Sequence, residues 1–502
     1  MATGSRRRED SGYLVDIAVD RSSDLPIARQ LFLAIRSAIL GGRLQASARL
    51  PSTRTAARLW NVGRGTVIEA YDTLLAEGFV SGRRGSGTYV AADVPSRASR
   101  PSRRAPARNG AARSLSRAAA AIAREPRLLD VPPQDAFVMG RAVLDERTRS
   151  VLKRIGNRHL AVLADHYGNP QGEGPLREAV SIYLRAARGV RCDPDRIFIT
   201  AGSQQAIDLA VRTLIDPGDV VAIENPSYPP ARLAVTAHNA RLSPVPVDDN
   251  GLEVSVLAGL AERPRAVYVT PSHQYPTGAV LSMARRLALL DWATSTGAWI
   301  IEDDYDSEFR YDERPLAALQ GIDEHNRVIY IGTFSKALLP GLRIGYLVVP
   351  IDLVPAFRAM RALLDRFPAP FHQLVVADFL AEGHFSGHLR RLRDAYRASR
   401  DMLVALLQER LAGHLQVGLP RQGIHLLARL GAGRKDVVLA QDALRARVTV
   451  VPVSPMHIGP KPPQGLVFGF AGLTSREADL GTRRLAKVFE QGGTTIGRML
   501  PL

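Results

Sequence analysis

A lysine and an aspartate 33 positions apart are the residues of this chain whose spacing points most clearly to chemistry. Asp303 follows the run Trp-Ile-Ile-Glu at 299–302, and Lys336 follows the run 328–332 within Gly-Thr-Phe-Ser-Lys. A carboxylate can hold a pyridine nitrogen protonated, and a lysine amine can form an imine with an aldehyde. Two such groups at the ends of two strands therefore predict a pyridoxal phosphate site.

Other residues near the ends of predicted strands could hold the rest of such a cofactor. Thr200-Ala-Gly-Ser-Gln-Gln-Ala206 follows a strand and opens a helix, whose N–H groups and positive end favour a phosphate. Tyr228 offers an aromatic face, and Tyr305 lies two residues beyond Asp303 as a donor for a ring hydroxyl. Each is weak evidence alone, but their order along one domain favours a common site. The residues that we expect at the cofactor are Ser203, Gln204, Tyr228, Asp303, Tyr305, Ser335, Lys336 and Arg343.

The N-terminal part of the chain has the pattern of a winged helix-turn-helix over residues 25–90. A helix is predicted over 27–39, a second opens in Leu-Pro-Ser-Thr-Arg54 with Ser52 or Thr53 as its cap, and a third follows Asn61-Val-Gly-Arg-Gly-Thr66. The third helix would leave Arg64 and Thr66 facing outward at its start, where a recognition helix meets base edges. Residues 79–90 read as two short strands around a tip rich in glycine and arginine, as in a wing.

The length and charge of the chain are consistent with a DNA-binding domain joined to a larger domain. The chain has 502 residues and a formal charge of +17, which favours polyanions such as nucleic acid, although arginine-rich composition is an alternative cause. The only cysteine, Cys192, excludes an internal disulfide and fits a reducing compartment. The sequence contains no apolar run long enough to span a membrane and begins without a signal peptide pattern, so we expect a cytoplasmic protein.

Composition divides the chain into three parts. Residues 1–92 form the predicted winged helix, and residues 93–127 contain nine arginines with few large apolar residues, as expected of a linker. From about 128 to 502, β-branched runs alternate with helical patterns, which indicates an α/β domain with a largely parallel sheet. A smaller α+β subdomain is expected from about 375. His384 and His388 share a helical spacing, but with no further ligand evident we expect a solvated face and no metal site.

These motifs together resemble a known family. Residues 25–90 are similar to the GntR-type winged helix, and residues 130–500 resemble the fold-type-I, aspartate-aminotransferase-like domain, so that the chain looks like a MocR/GabR-type transcriptional regulator. The resemblance implies a dimer arranged head-to-tail, with Tyr167 completing the partner's cofactor site. It also implies that Lys336, Asp303 and Tyr305 correspond to the catalytic residues of aminotransferases. The residues to which we assign DNA binding are Ser52, Arg54, Arg64, Thr66, Gly85 and Gly87.

One residue departs from the aminotransferase pattern. Val467, in Gly465-Leu-Val-Phe-Gly-Phe-Ala-Gly472, stands where enzymes of this fold usually carry an arginine that binds the substrate carboxylate. Arg421 and Arg429 remain candidates to replace it. The sequence therefore favours a regulator that binds pyridoxal phosphate, responds to an amine or a B6-type effector and recognises two DNA half-sites. An active aminotransferase with an accessory winged helix is the alternative, and a repressor whose large domain has lost its cofactor is a third reading.

Overall fold

The computed structural model describes residues 17–83, 86–92, 115–123, 135–160, 167–311 and 316–491. The chain divides into two compact units, residues 1–114 and residues 115–502. No helix within these ranges is long and apolar enough to cross a membrane.

The first unit contains three helices and a hairpin around one apolar core. Leu31, Ile35 and Leu74 are among its fully buried side chains. The hydroxyl of Tyr71 donates to the carbonyl of Pro51 at 3.0 Å, which ties the third helix to the start of the second. The elements are α1 (Ile27–Leu40), α2 (Thr53–Leu59), α3 (Arg64–Ala76), β1 (Val80–Arg83) and β2 (Gly87–Val90), with β1 antiparallel to β2.

The second unit is built on an eight-stranded mixed sheet. Its strand order is β3-β10-β9-β8-β7-β4-β5-β6. The five strands from β9 to β5 are parallel, whereas β10 runs antiparallel to both of its neighbours and β6 runs antiparallel to β5. The strands are β3 (Ile197–Thr200), β4 (Val220–Asn225), β5 (Arg241–Asp248), β6 (Gly251–Leu252), β7 (Ala266–Val269), β8 (Trp299–Asp304), β9 (Val328–Thr333) and β10 (Gly345–Val348).

Helices cover this sheet, and three separate apolar clusters include residues of its strands. Strands β3, β7, β9 and β10 are buried along their whole length, as expected of a sheet packed on both faces. The helices that precede the smaller subdomain are α4 (Arg117–Ile122), α5 (Glu146–Leu160), α6 (Gly174–Arg188), α7 (Ser203–Leu214), α8 (Pro229–Ala237), α9 (Val254–Ala258), α10 (Met283–Thr296), α11 (Leu319–Ile322), α12 (Val354–Asp365) and α13 (Pro370–Ala381).

The chain ends in a smaller α+β subdomain with a four-stranded antiparallel sheet, ordered β11-β12-β14-β13. Its core contains Phe468 and Leu403, and Phe137 packs edge-to-face on Phe468 at 5.5 Å. Its elements are α14 (His384–Leu411), β11 (Leu415–Val417), β12 (His425–Leu430), α15 (Asp436–Arg445), β13 (Val451–Pro452), β14 (Gly465–Gly469) and α16 (Ser475–Gln491).

Part of the predicted linker, residues 93–127, is helical in the structure. Residues 117–122 form the short helix α4 within the second unit, and the hydroxyl of Ser116 caps it by accepting from the N–H of Ala119 at 3.1 Å. This cap and the alanine-rich sequence behind it explain a helix that overall composition does not predict. Residues 93–114 and 124–127 lie outside the described residues.

Candidate functional site

A cavity of about 470 Å³ lies where the carboxyl ends of the central strands meet. The turns that follow β3, β4, β8 and β9 each bring side chains to this edge of the sheet. The structure places eight of the nine expected cofactor residues around the cavity: Ser203, Gln204, Tyr228, Asp303, Tyr305, Ser335, Lys336 and Arg343. The ninth, Tyr167, is 80% exposed and lies outside it, packed edge-to-face on Phe367 at 5.9 Å.

Lys336 reaches the cavity from the turn after β9. Burial lowers the pKa of its amine, while the charges of Asp306 and Asp303 act in the opposite direction. A Cβ atom at Gly140 would lie 2.5 Å from the Nζ of Lys336, and the φ of Gly140 is +75°. Glycine at this position therefore leaves room for the amine.

A buried histidine holds the turn that carries Lys336. The Nε2 of His388 lies 2.9 Å from the carbonyl of Ala337, and its Nδ1 lies 3.0 Å from the hydroxyl of Thr148. The side chain is fully buried, so the expected solvated face is wrong for His388. The spacing of the two histidines along the helix does not show that α14 packs His388 against the turn that carries Lys336.

Asp303 lies at the floor of the cavity with one carboxylate oxygen unmatched. The hydroxyl of Tyr268 donates to its Oδ2 at 2.7 Å, whereas Oδ1 is buried without a hydrogen-bond partner. Burial raises the pKa of Asp303 to about 7. A protonated ring nitrogen would satisfy the free oxygen and restore the charged form of the acid. Tyr268 was missed at the sequence level, because its role depends on the alignment of β7 beside β8.

The start of α7 forms the end of the cavity that suits a phosphate. Ser203 is the first residue of that helix, and Gly202 before it has a φ of +97°. The guanidinium of Arg343 donates to the carbonyl of Ala201 and would contact a Cβ at Gly202. The hydroxyl of Ser335 accepts from Thr333 at 3.0 Å. Helix N–H groups, two hydroxyls and one guanidinium thus converge here, as phosphate binding requires.

An aromatic wall closes another side of the cavity. Tyr228 packs edge-to-face on Tyr275 at 5.6 Å, and the hydroxyl of Tyr305 lies 3.2 Å from the Nδ1 of His273. The same nitrogen lies 2.9 Å from the carboxylate of Asp306. His273 is therefore a buried hydrogen-bonding residue behind the wall. Further lining residues that were not expected are Met139, Tyr268, Thr270, Tyr275, Thr333, Pro340 and Ile424.

Three buried side chains behind the wall have metal-ligand chemistry. His273, Asp306 and His425 each place one ligand atom within 4.8 Å of the others. The contact between His273 and Asp306 already accounts for two of them as a hydrogen-bonded pair. Burial and the neighbouring His273 lower the pKa of His425 well below its usual range, so its ring is neutral. The absence of a metal site stays a prediction.

The first unit presents its candidate DNA-binding side chains at the start of two helices. Arg54 and Arg64 are exposed, and Thr66 is half-buried one turn into α3. The hydroxyl of Ser52 caps α2 by accepting from the N–H of Thr55 at 3.2 Å. At the hairpin, Gly87 has a φ of +120°, which glycine adopts readily. Gly85 lies outside the described residues.

Comparison with known proteins shows the family to which this chain belongs. Residues 27–90 match the bacterial regulatory proteins of the gntR family, and residues 144–485 match aminotransferase class I and II. The chain belongs to the MocR/GabR-type transcriptional regulators. It is thus a helix-turn-helix regulator with an aminotransferase-like domain, and its cofactor is pyridoxal phosphate.

Relatives of this type match almost end to end. The chain is 38% identical to a probable rhizopine catabolism regulatory protein, MocR, from Rhizobium meliloti, over 94% of this chain and 96% of that protein. It is 31% identical to the pyridoxine biosynthesis regulator PdxR of Corynebacterium glutamicum, over 90% of this chain and 94% of that protein. It is 36% identical to the regulator TauR of Rhodobacter capsulatus, over 75% and 78%.

Solved aminotransferases share the fold of the second unit. Kynurenine aminotransferase from Pyrococcus horikoshii, in complex with PMP, superposes with a TM-score of 0.67 at 26% identity, covering 76% of this chain and 98% of that one. The α-aminoadipate aminotransferase of Thermus thermophilus, complexed with a phosphopyridoxyl-leucine, gives 0.66 at 29% identity, covering 71% and 92%. The unmatched oxygen of Asp303 and the helix start at Ser203 fit the ring nitrogen and the phosphate of such a cofactor.

Proposed function

We propose that this regulator senses a primary amine or a B6-type compound in the cavity of its second unit and alters its binding to operator DNA in response. The observation that supports this most strongly is the meeting of Lys336, Asp303 and the start of α7 in one cavity, within a chain that also carries a winged helix. When bound, the cofactor supplies an aldehyde that condenses reversibly with amines. An effector amine would then compete with Lys336 for the same carbon atom.

The residues around the cavity divide by role in this proposal. Lys336 anchors the cofactor covalently, Asp303 holds its ring nitrogen protonated and Tyr305 donates to its ring hydroxyl. Tyr228 covers the ring face. The residues that we assign to the phosphate are Ser203, Gln204, Ser335 and Arg343, and Tyr167 would enter the site of a partner subunit in a head-to-tail dimer.

Sensing requires the effector to bind two arrangements of the protein unequally. The amine of Lys336 lies beside Asp303 and Asp306, so freeing it from the cofactor would change its interactions with both carboxylates. The turn that carries Lys336 is tied to α14 through His388. A change at the cofactor can therefore reach the smaller subdomain through one hydrogen bond.

DNA recognition in this proposal rests on the first unit, with residues 1–92 as the reader, 93–127 as the connection and 128–502 as the effector domain. Arg64 and Thr66 would meet base edges from the start of α3, and Ser52, Arg54 and the hairpin around Gly87 would meet the backbone. A dimer carries two such readers, so the operator should contain two half-sites. The protein would act in the cytoplasm, where bacterial DNA lies.

The cofactor half of the proposal has a direct test. Purified protein supplied with pyridoxal phosphate should absorb in the visible range, and borohydride reduction should attach the cofactor to the peptide that contains Lys336. Lys336→Ala should lose both signals, whereas Lys153→Ala, at another helix of the same unit, should keep both. A colourless wild-type protein, or a label on another lysine, would refute the assignment.

The alternative of an active aminotransferase is favoured by the lowered pKa of Lys336, since a neutral amine is the form that exchanges with substrate. Val467 opposes it, because that position carries no cation for a substrate carboxylate. Incubation with amino donors and an oxo-acid acceptor decides between the two. Sustained product formation over many turnovers would establish the enzyme, and a spectral response without turnover would support the sensor.

A further inference from the structure

In the proposed function, the positively charged side chains that line the cavity both bind the cofactor. Among the residues of the second unit that the structure describes, Lys336 and Arg343 are the lysine and arginine side chains that line it. Lys336 lies beside Asp303 and Asp306, and Arg343 lies at the start of α7 against the carbonyl of Ala201. Arg421 and Arg429, the candidates for a replacement, do not line this cavity. A carboxylate on an effector would therefore meet no spare guanidinium from these residues.

The wall where a carboxylate-binding cation would stand is apolar. Val467 is fully buried and packs in a cluster with Met139 and Tyr275, two residues that line the cavity. Its partners across the small sheet are Leu427 on β12 and Val451 on β13, which are also apolar. A carboxylate placed against this cluster would lose its hydration without gaining a charged partner, which is a large unfavourable term.

The remaining polar groups near this wall are neutral or negative. Tyr305 offers a hydroxyl, and His425, whose ring lies 5.3 Å from that of Tyr275, is neutral because burial lowers its pKa well below the usual range. Asp303 and Asp306 add negative charge beside the lysine. Neutral donors and acceptors suit hydroxyl groups, whereas the negative side chains oppose a second anion in the same cavity.

We infer that the effector of this protein is a primary amine that carries no carboxylate, sulfonate or other anionic group. This inference rests on the proposed function, because it names the class of amine that the cofactor cavity accepts. It separates two groups of small molecules that differ at a single functional group: amino acids and their corresponding amino alcohols.

Matched pairs of ligands test this on the unmodified protein. Serine is compared with serinol, β-alanine with propanolamine and taurine with ethanolamine, each titrated into the cofactor-loaded full-length chain. The readouts are the visible absorbance and the affinity for operator DNA. We expect each alcohol to reach half-saturation at a concentration at least about tenfold below that of its acid, since an unpaired buried charge costs more than a hydrogen-bonded hydroxyl.

The outcomes separate the two proposals. If the acids act at equal or lower concentration than the alcohols, the inference is wrong while amine sensing stands. If the loaded protein shows its cofactor band but no amine of either class changes absorbance or DNA affinity, amine sensing itself is wrong, and the inference fails with it.

A charge introduced at the wall gives an independent check. Val467→Arg should reverse the preference toward the acids by supplying the missing cation, and Val467→Met, of similar length without charge, should keep the preference for alcohols. Retention of the cofactor band in both variants shows that the cavity still forms. If Val467→Arg does not fold, the ligand pairs on the wild-type chain still decide, and if it folds without reversing the order, Val467 is not the determinant.

Discussion

Replacement of Asp303 by asparagine should change the stability of the cofactor-free protein in an unusual direction. The carboxyl of Asp303 is buried, and its pKa rises from 3.8 to about 7 because burial disfavours the charge. The folded state therefore holds this proton more tightly than the unfolded state does. The contribution of this carboxyl to the free energy of unfolding is fully present below about pH 4 and is lost as the pH rises toward 7. Asparagine has no proton to lose, so Asp303→Asn should gain stability relative to wild type as the pH rises.

The size of the effect follows from the two pKa values. A rise from 3.8 to about 7 corresponds to about a thousandfold change in proton affinity, or about 4 kcal/mol at pH 8. The amide oxygen can still accept from the hydroxyl of Tyr268, so that hydrogen bond need not be lost. For a unit of roughly 390 residues, an unfolding entropy of about 0.8 kcal/mol per kelvin converts this into a Tm about 5 °C higher.

The assay is thermal unfolding of cofactor-free wild type and Asp303→Asn at several pH values between 4 and 8. The two Tm values should converge near pH 4 and separate as the pH rises. With the cofactor bound the order should reverse, because asparagine loses a charge-assisted hydrogen bond to the ring nitrogen and should weaken binding about 10- to 100-fold. A cofactor-free variant that is less stable than wild type at pH 8 would refute the assignment of Asp303 as a buried acid awaiting a cation.

Asp304→Asn is the matched control, because its neighbour has the opposite environment. The guanidinium of Arg188 donates to Asp304 at 2.8 Å, and this pairing outweighs burial and lowers the pKa of the Asp304 carboxyl. Removing its charge leaves Arg188 buried without a counter-ion, which should cost about 3–5 kcal/mol. The control should therefore lower the Tm at pH 8 with or without cofactor.

Three further outcomes are expected. Arg64→Ala should abolish operator binding in a mobility-shift assay without altering the cofactor spectrum, while Arg58→Ala, in the last turn of α2, should retain binding. His388→Leu should lower the free energy of unfolding, measured with urea, by about 1–3 kcal/mol, because Thr148 and the carbonyl of Ala337 lose a buried partner. Operator affinity should fall about 10³- to 10⁵-fold between 50 and 200 mM salt if six to ten phosphates are contacted, and a flat salt dependence would contradict the proposed phosphate contacts.

Local pattern was enough to predict most of the sheet but not its edges. The runs 299–302 and 328–332, which lie in β8 and β9, were predicted as strands. Strand β5 was missed because Pro244 and Pro246 interrupt Arg241–Asp248, and proline lowers strand propensity. The sequence also indicated a largely parallel sheet, whereas β10 is antiparallel to both neighbours. The direction of a strand depends on the connection that precedes it, and the residue types within the strand do not reveal that connection.

The residues of the cofactor site that could be predicted from sequence are mostly those on turns that follow a strand. Lys336 and Ser203 stand on such turns, and the cavity contains both. Tyr268, which lies within β7, and Met139, which lies far away along the chain, also line the cavity but were not predicted. Their contribution depends on the alignment of neighbouring strands and on the position of residues 135–145, and neither leaves a signature in the local sequence.

The strand β8 shows how one short stretch of sequence supplies both a stabilising acid and a functional one. Its residues alternate between the two faces of the sheet, so Asp303 and Asp304 point in opposite directions. Asp304 meets Arg188 and the hydroxyl of Tyr330, at 2.8 and 2.6 Å, and its charge is compensated within the protein. Among the described residues, each acid keeps one oxygen without a hydrogen-bond partner, but Asp303 accepts only from the hydroxyl of Tyr268 and has no guanidinium beside it. An acid left in that state raises the energy of the empty protein, and a cation bound there recovers it. Such an acid would favour the protonated form of a ring nitrogen placed beside it.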